Sequence, residues 1–302
     1  MIYKRWMSYV KDDVKLVNLV IPSAHNAGSY GMSAVACCQD GGFYEQFLYG
    51  IRHFCVRLDT DRKGNIILCH GITKGDLFEN ALKDWKKILE ENDSEFFIFD
   101  VREYYTQHVI GSINLKFYAD PKKVDELLEK YIDPEKYAYT EFGDIAQVTM
   151  ADLRKSGKRY ILLNYKEDYK YSVNCPHIIP WDKIIHGMPA PSFVKKAVSF
   201  FDSFEVDGLF WFQTQQTPNI GTQIGFRTPR KLDRTLRPVY YKLIESIADN
   251  PKYLAKANII SGDFMTEDYM KVRSILLLNV LKGNVYEDKI MEFLKGLWKS
   301  EK

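Results

Sequence analysis

Two histidines, one arginine and one aspartate are the side chains of this sequence whose types suit acid–base chemistry on a charged substrate. His25 and His70 each follow an apolar run, Arg57 lies between them, and Asp263 lies near the end of a late apolar run. Cleavage of a phosphodiester by an internal hydroxyl needs a base, an acid, and a cation that faces the charge on the phosphate oxygens. The two imidazoles and the guanidinium could supply these groups, and Asp263 could fix the tautomer of one imidazole.

The elements that must position these residues are short apolar runs that alternate with amphipathic segments. At least seven runs are typical of buried strands: residues 14–21, 51–58, 66–71, 96–101, 159–165, 209–213 and 257–264. Apolar residues at helical spacing predict helices at 76–91, 120–131, 191–204, 238–249, 268–282 and 286–298. No linker, repeat or shift in composition divides the chain, so we predict one domain over residues 1–302.

Polar or charged side chains stand at, or just past, the ends of six of these runs. They are His25, Arg57, His70, Arg102, Tyr165 and Asp263. A (β/α) barrel builds its site from the carboxyl ends of parallel strands, and this pattern therefore predicts an α/β barrel. An open doubly wound sheet is the alternative, although the sequence has no GxGxxG fingerprint for a dinucleotide.

Composition and charge narrow the class of protein. The 42 basic and 40 acidic residues leave a formal charge of +2, which argues against a nucleic-acid partner. No apolar run reaches the roughly 18 residues of a membrane-spanning helix. The N-terminus lacks a secretory signal, so we expect a cytoplasmic protein, or a secreted one if Met1 was added to a mature form.

The cysteines form no CxxC pair, and we interpret them mainly as buried free thiols: Cys37, Cys38, Cys55, Cys69 and Cys175.

Five segments together resemble the phosphatidylinositol-specific phospholipase C superfamily, of the X-domain type. They are IPSAHNAGSY at 21–30, GIRHFCVRLD at 50–59, IILCHG at 66–71, FFIFDVREYY at 96–105 and NIISGDF at 258–264. They span nearly the whole chain in the order found in that family. The resemblance implies a distorted (β/α)8 TIM barrel of parallel strands and a phosphorus–oxygen lyase.

The same resemblance implies a role for each candidate catalytic residue. His25 would be the general base that deprotonates the inositol 2-hydroxyl, and His70 the general acid for the diacylglycerol oxygen. Asp263 would orient His25. The products would be diacylglycerol and inositol 1,2-cyclic phosphate.

Arg57 bears on the need for a metal. Calcium-dependent members of the family carry carboxylate ligands at this position and two residues earlier, whereas metal-independent members carry an arginine here. This chain has Cys55 and Arg57 at the two places and lacks the oxygen ligands that calcium requires. We therefore predict no metal and no cofactor, and we interpret the nearby Asp59 and Asp61 as turn residues.

Asn26 departs from the pattern of the bacterial metal-independent enzymes, which usually have an aspartate directly after the first histidine. An amide can hydrogen-bond a phosphate oxygen, yet it cannot raise the pKa of a nearby imidazolium as a carboxylate does. We therefore expect His70 to be less well prepared as an acid. By position, Arg102, Tyr165 and Gln215 would contact the inositol head group.

Two other readings stay open, together with the nature of the partner. One is a barrel that binds a phosphoinositide without cleaving it, and the other is a metal-dependent hydrolase of the glycerophosphodiester type. The expected partner is an inositol phospholipid at a membrane surface, and the chain is expected to be a monomer. Tyr30, Phe43 and Tyr44 are candidates for contact with lipid.

Overall fold

A curled sheet lies at the centre of the fold in the computed structural model. The structure describes residues 2–103, 105–110, 113–141, 144–164, 170–171, 173–174, 190–203, 208–216 and 228–299. Its strands are β1 (Ile21–Ala24), β2 (His53–Thr60), β3 (Ile66–His70), β4 (Thr73–Leu77), β5 (Phe97–Glu103), β6 (Tyr105–Ile110), β7 (Ile113–Tyr118), β8 (Tyr160–Asn164), β9 (Val173–Asn174), β10 (Trp211–Gln213) and β11 (Ile259–Gly262).

The helices surround this sheet in the alternating order that the sequence predicts. They are α1 (Phe43–Leu48), α2 (Phe78–Glu91), α3 (Pro121–Ile132), α4 (Pro134–Tyr137), α5 (Met150–Ser156), α6 (Ala190–Ser203), α7 (Pro229–Ala248), α8 (Pro251–Lys256), α9 (Tyr269–Leu281) and α10 (Ile290–Trp298). Short 3-10 turns include Leu16–Asn18 and Ala27–Ser29. Among the described residues, no helix combines the length and the hydropathy needed to cross a membrane.

Parallel pairing fixes which strand ends are neighbours. The order across the sheet is β10–β11–β1–β2–β5–β8–β9, and each neighbouring pair in it is parallel. Strand β1 therefore lies between β11 and β2, with Ala24 opposite Gly262 at its carboxyl end. The α/β class and the distorted barrel are confirmed, although the described strands leave the barrel unclosed between β9 and β10.

The predicted strand at 66–71 exists but is not a barrel strand. β3 runs antiparallel to β2, with Leu58 opposite Leu68, and β4 continues the antiparallel pairing. The turn that reverses the chain is closed by the Asp61 carboxylate, which accepts hydrogen bonds from the backbone of Lys63 and Asn65. The reading of Asp61 as a turn residue is confirmed, whereas the same reading of Asp59 was wrong, because Asp59 lies within β2 opposite Ile67. His70 thus reaches the carboxyl end of the barrel on a returning hairpin.

Two predicted boundaries were wrong for local reasons. The first strand covers only Ile21–Ala24, because Leu16–Asn18 forms a 3-10 turn instead of extended chain. Helix α7 begins well before Pro238, which lies inside it. A proline lacks an N–H group and therefore suggested a helix start, but the Thr228 side chain caps this helix by accepting from Lys231. The hairpin formed by β6 and β7 was not predicted.

Aromatic packing between α2 and the sheet forms much of the core on this side. Trp85 is fully buried and stacks on Phe99, with ring centroids 3.9 Å apart. Phe43 and Phe78 contact the same indole edge-on. The apolar stripe predicted for 76–91 is thereby confirmed as a core face, except that Leu77 is exposed. Phe43 belongs to the core, so its suggested contact with lipid was wrong.

A buried ion pair holds the start of β2 against the N-terminal segment. The Arg52 guanidinium donates to the Glu95 carboxylate at 2.8 Å and to the Tyr3 carbonyl at 2.8 Å, and both charged side chains are fully buried. Burial raises the pKa of Glu95, while the adjacent Arg52 charge opposes that shift. Removal of one partner would leave the other charge buried without compensation.

We expect Arg52→Met to lower the free energy of unfolding by about 3–5 kcal/mol, because methionine keeps part of the volume and leaves the Glu95 carboxylate unpaired. Urea unfolding measures this change. The double variant Arg52→Met/Glu95→Gln should cost less than the two single variants added together. Lys86→Met is the surface control, since its side chain is 51% exposed and its Nζ lies 3.8 Å from Oε1 of Glu90. Equal effects at positions 52 and 86 would contradict the prediction.

Candidate active site

His25 and Asp263 come together because β1 and β11 end side by side. The backbone N–H of His25 donates to the Gly262 carbonyl at 3.2 Å, which extends the pairing past the last register position. Nδ1 of His25 lies 2.8 Å from Oδ1 of Asp263, and both residues are buried. This bond places the shared proton on the Nδ1 side and leaves Nε2 of His25 to accept a proton.

The Asp263 carboxyl lies in a setting that favours proton sharing. Burial raises the pKa of Asp263 well above its usual range, the Asp233 charge raises it further, and Lys271 and a hydrogen bond from Cys38 oppose the rise. Nζ of Lys271 donates to the Asp263 carbonyl at 2.7 Å and to Asp233 at 2.5 Å. The buried ammonium therefore holds the backbone of residue 263 in place.

Asn26 joins the two candidate histidines. Its Nδ2 lies 3.1 Å from Nε2 of His25 and 3.2 Å from Nε2 of His70, so one carboxamide faces both imidazoles. The backbone of Asn26 is left-handed, with φ 45° and ψ 53°, a conformation that asparagine and aspartate adopt more readily than most residues. Its Oδ1 is buried and has no hydrogen-bond partner among the described residues.

His70 is held in a neutral form by its surroundings. Its Nδ1 donates to the Ala36 carbonyl at 2.6 Å, so Nε2 is the atom directed at Asn26. Burial lowers the pKa of His70 to about 3, and the positive charge of Arg57 acts in the same direction. An imidazole with this pKa carries no ionisable proton on Nε2 at neutral pH.

Arg57 lies on β2 beside these groups and is partly buried. The pairing of β2 with β5 shifts register between Cys55 and Arg57, so that Arg57 pairs with Glu103. Irregularities of this kind often occur next to functional sites, where they redirect a side chain. The electrostatic effect of Arg57 reaches both His70 and Cys38, which places its charge at the same site.

The sequence analysis did not predict a role for Gln39, whose side chain hydrogen-bonds to the ends of both β1 and β11. Gln39 is fully buried, and its Nε2 donates to the His25 carbonyl at 2.8 Å and to the Gly262 carbonyl at 3.0 Å. Its Oε1 accepts from the backbone N–H of Met265 at 3.1 Å. The only signal for this role was one glutamine between Cys38 and Asp40, in a stretch without secondary-structure periodicity.

Cys38 lies inside the site and was not predicted there. Its Sγ is 3.9 Å from Nδ2 of Asn26 and 3.8 Å from Nδ1 of His70. Burial raises the pKa of the Cys38 thiol well above its usual range. The interpretation of the cysteines as free thiols is confirmed for Cys37, Cys38, Cys55 and Cys69, and Cys175 lies outside the described residues.

Gly28 allows β3 to approach the turn that carries His25 and Asn26. A Cβ atom at position 28 would lie 2.8 Å from Cδ2 of Leu68, closer than real Cβ contacts. Leu68 is fully buried and precedes His70 by two residues. The absence of a side chain at position 28 therefore permits close packing of the two elements.

Of the three candidate head-group residues, the structure describes only Gln215 with its side chain. Gln215 follows β10 and is buried, and its Nε2 donates to Oε1 of Gln213 at 2.5 Å. Gln213 pairs with Ser261 of β11, so Gln215 lies at the same edge of the sheet as Asp263. The backbone of Arg102 lies in β5, but its side chain is outside the described part, as is all of Tyr165.

The metal-binding capacity of the site follows from its donor atoms. Calcium takes about six to eight oxygen ligands, and Cys55 and Arg57 offer none from their side chains. Among the described residues, the group with metal-ligand spacing consists of His25, Cys38 and Asp263, which supply nitrogen, sulfur and oxygen. Such a mixed set does not fit calcium, and it does fit transition metals.

We expect Arg57→Gln to raise the pKa of His70 from its value of about 3, because the positive charge that opposes protonation is removed. Burial still acts in this variant, so the pKa should stay below the usual value for histidine. Titration of the imidazole Cε1–H signals by NMR measures the shift. Arg62→Gln removes an exposed charge from the β2–β3 turn and should leave His70 unchanged. A pKa that is unaltered or lower in Arg57→Gln would refute this account.

The fold is shared with known structures of one enzyme group. Phosphatidylinositol-specific phospholipase C from Listeria monocytogenes is 19% identical with a TM-score of 0.69, over 92% of this chain and 98% of that one. A mutant of the Staphylococcus aureus enzyme is 18% identical with a TM-score of 0.60, over 86% and 90% of the two chains. Another S. aureus structure, which concerns modulation of membrane binding, is 16% identical with a TM-score of 0.65, over 91% and 97%. No family model and no curated relative matches the sequence. The chain therefore has the fold of the bacterial phosphatidylinositol-specific phospholipases C, as the sequence motifs predicted.

Proposed function

We propose that this chain cleaves phosphatidylinositol, or a related inositol phospholipid, without a metal ion. The observation that carries the proposal is the convergence of His25 and His70, whose Nε2 atoms lie 3.1 Å and 3.2 Å from one carboxamide nitrogen. Two imidazoles that face the same small volume can serve the two ends of one phosphodiester. The fold shared with bacterial enzymes of this specificity supports the same reaction class.

The proposed reaction moves two protons and exchanges one phosphorus–oxygen bond. Nε2 of His25 takes the proton of the inositol 2-hydroxyl, and the resulting oxygen attacks phosphorus. The bond from phosphorus to the diacylglycerol oxygen breaks, and that oxygen receives a proton from Nε2 of His70. The products are diacylglycerol and inositol 1,2-cyclic phosphate, while Asp263 stabilises the imidazolium formed at His25.

Substrate binding itself would make His70 an acid. In the free protein, burial and the charge of Arg57 lower the pKa of His70 to about 3. A bound phosphodiester brings a negative charge next to this imidazole, which favours its protonated form, and the same charge pairs with Arg57. Proton uptake by His70 would therefore accompany binding of the phosphate.

We propose contacts with the inositol ring and with the lipid surface from the positions of residues around the phosphate site. Arg102, Tyr165 and Gln215 remain the candidates for the inositol ring. Val35 is 65% exposed and Ile72 is 71% exposed, and they flank Ala36 and His70, which are hydrogen-bonded to each other. Exposed apolar side chains at the rim of a site suit contact with lipid, so these two are better candidates than Tyr30 and Tyr44, which are partly buried.

We expect His25→Ala and His70→Ala each to lower turnover of phosphatidylinositol by about 10²–10⁴-fold, because each removes a proton-transfer group. The measurement is release of inositol 1,2-cyclic phosphate, followed by phosphorus NMR on vesicles that contain the lipid. EDTA should not lower the wild-type rate. Loss of activity in EDTA would disprove metal independence, and full activity in either variant would disprove the two-histidine mechanism.

We expect Asn26→Asp to raise turnover and to keep it independent of metal. A carboxylate at the position of the amide would face Nε2 of His70 and raise the pKa of His70 by about 1–3 units. Aspartate also tolerates the left-handed backbone at this position. Steady-state rates across pH measure the effect, with Asn26→Ser as the neutral control. A rate in Asn26→Asp that is unchanged or lower would count against this role of His70.

The neutral state of His70 also favours the second candidate, a barrel that binds an inositol phospholipid without cleaving it. A site that never protonates His70 would hold the phosphate through Arg57 and would release no product. Vesicle co-sedimentation without any cyclic phosphate, even after long incubation, would select this candidate over the enzyme.

A further inference from the structure

We propose that His25, Cys38 and Asp263 form a binding site for a zinc-type divalent ion that blocks the candidate active site. One ligand atom from each of the three side chains lies within 4.8 Å of the other two. All three residues are buried, with 6%, 2% and 3% of their surface exposed. Cys38 has no part in the proposed reaction, yet it lies against the residues that perform it.

The donor types and their spacing suit a four-coordinate ion. Zinc binds imidazole nitrogen, thiolate sulfur and carboxylate oxygen with bonds of about 2.0–2.3 Å, which places tetrahedral ligand atoms roughly 3.5 Å apart. The Nδ1 atom of His25 and Oδ1 of Asp263 are already 2.8 Å apart. All three ligand atoms lie within 4.8 Å of one another, so side-chain movements on the order of an ångström would reach the tetrahedral spacing.

Asn26 supplies an independent sign that the site can accept a ligand. This residue is 3% exposed, and its Oδ1 has no hydrogen-bond partner in the part of the chain that the structure describes. Its Nδ2 faces Nε2 of His25 at 3.1 Å and Sγ of Cys38 at 3.9 Å. Rotation of the carboxamide exchanges nitrogen for oxygen and would place an acceptor atom near Cys38.

The charge of the three ligands also suits a divalent ion. A thiolate and a carboxylate together carry two negative charges, which a divalent ion neutralises in a volume that excludes water. The same binding would replace the proton shared by His25 and Asp263, and Asp263 could then no longer stabilise the imidazolium that forms at His25 in the proposed reaction. Inhibition of turnover by the ion therefore rests on the proposed function, whereas binding of the ion does not.

Cobalt(II) is the probe for binding, because a thiolate bound to cobalt gives a near-ultraviolet charge-transfer band and a tetrahedral site gives visible bands. The wild-type protein should develop both bands on titration with cobalt, and zinc should displace the cobalt. Cys38→Ser should lose the charge-transfer band and bind zinc at least about 100-fold more weakly, since removal of a direct ligand costs no less than removal of a supporting group.

Cys37→Ser is the matched control, because Sγ of Cys37 contacts the Gln39 carbonyl at 3.2 Å and is not one of the three clustered ligands. It should keep the band and the zinc affinity of the wild type. Urea unfolding of both variants verifies that each is folded. A wild-type protein without the band at saturating cobalt, or a band that survives in Cys38→Ser and is lost in Cys37→Ser, would overturn the proposal.

Activity measurements separate this proposal from the proposed function. If the chain cleaves phosphatidylinositol, micromolar zinc should inhibit the wild type and Cys37→Ser far more strongly than Cys38→Ser. A protein that shows the cobalt bands but no cleavage would refute the enzyme and support the metal site. Cleavage that is equally sensitive to zinc in all three proteins would refute the metal site as the inhibitory one.

Discussion

The parallel pairing of β1 with β11 is the constraint on which the rest of the site depends. It sets Ala24 opposite Gly262, so the next residue of each strand must meet the other, and these residues are His25 and Asp263. Gln39 then binds the two carbonyls that follow the last paired positions and prevents the ends from separating. A polar pair that is held this firmly needs no further positioning when a substrate arrives.

Burial decides how the charged groups of this site behave. It lowers the pKa of His70 to about 3 and raises the pKa of Asp263. The field of Arg57 adds to the first effect and would be cancelled by a bound phosphate. The same exclusion of water makes each hydrogen bond in the site stronger than it would be in solvent. A bound anion would therefore act mainly on His70, by raising its pKa.

Much of this arrangement could be predicted because it depends on local patterns. The apolar runs that end in His25 and near Asp263 mark barrel strands, and the motifs around Arg57 and Asn26 identify the family whose fold the chain shares. The structure brings His70 next to Asn26, as the sequence analysis expected, although the direction of β3 was wrong. An apolar run of five residues has the same composition whether it pairs parallel or antiparallel, and only the turn at Asp61 decides.

Residues in irregular loops could not be predicted, because no periodicity links them to their partners. Gln39 and Cys38 lie in a segment without regular structure, and their contacts are made with residues more than 200 positions away or on another element. Their importance comes from backbone carbonyls and ring nitrogens that have no sequence signature. The contact that Gly28 makes with Leu68 belongs to the same class, since a missing side chain leaves no pattern.

The close approach of Gly28 and Leu68 has a consequence for the distance between His25 and His70. His25 lies directly before the turn that includes Gly28, and His70 lies two residues beyond Leu68 on the opposing hairpin. A side chain at position 28 would overlap Leu68, so either Leu68 would change its rotamer or the turn and the hairpin would move apart, together with His25 and His70. In the proposed reaction, one phosphate group must lie within reach of both imidazoles. The glycine at position 28 therefore bears on the spacing of the two histidines, although its own contact is with Leu68.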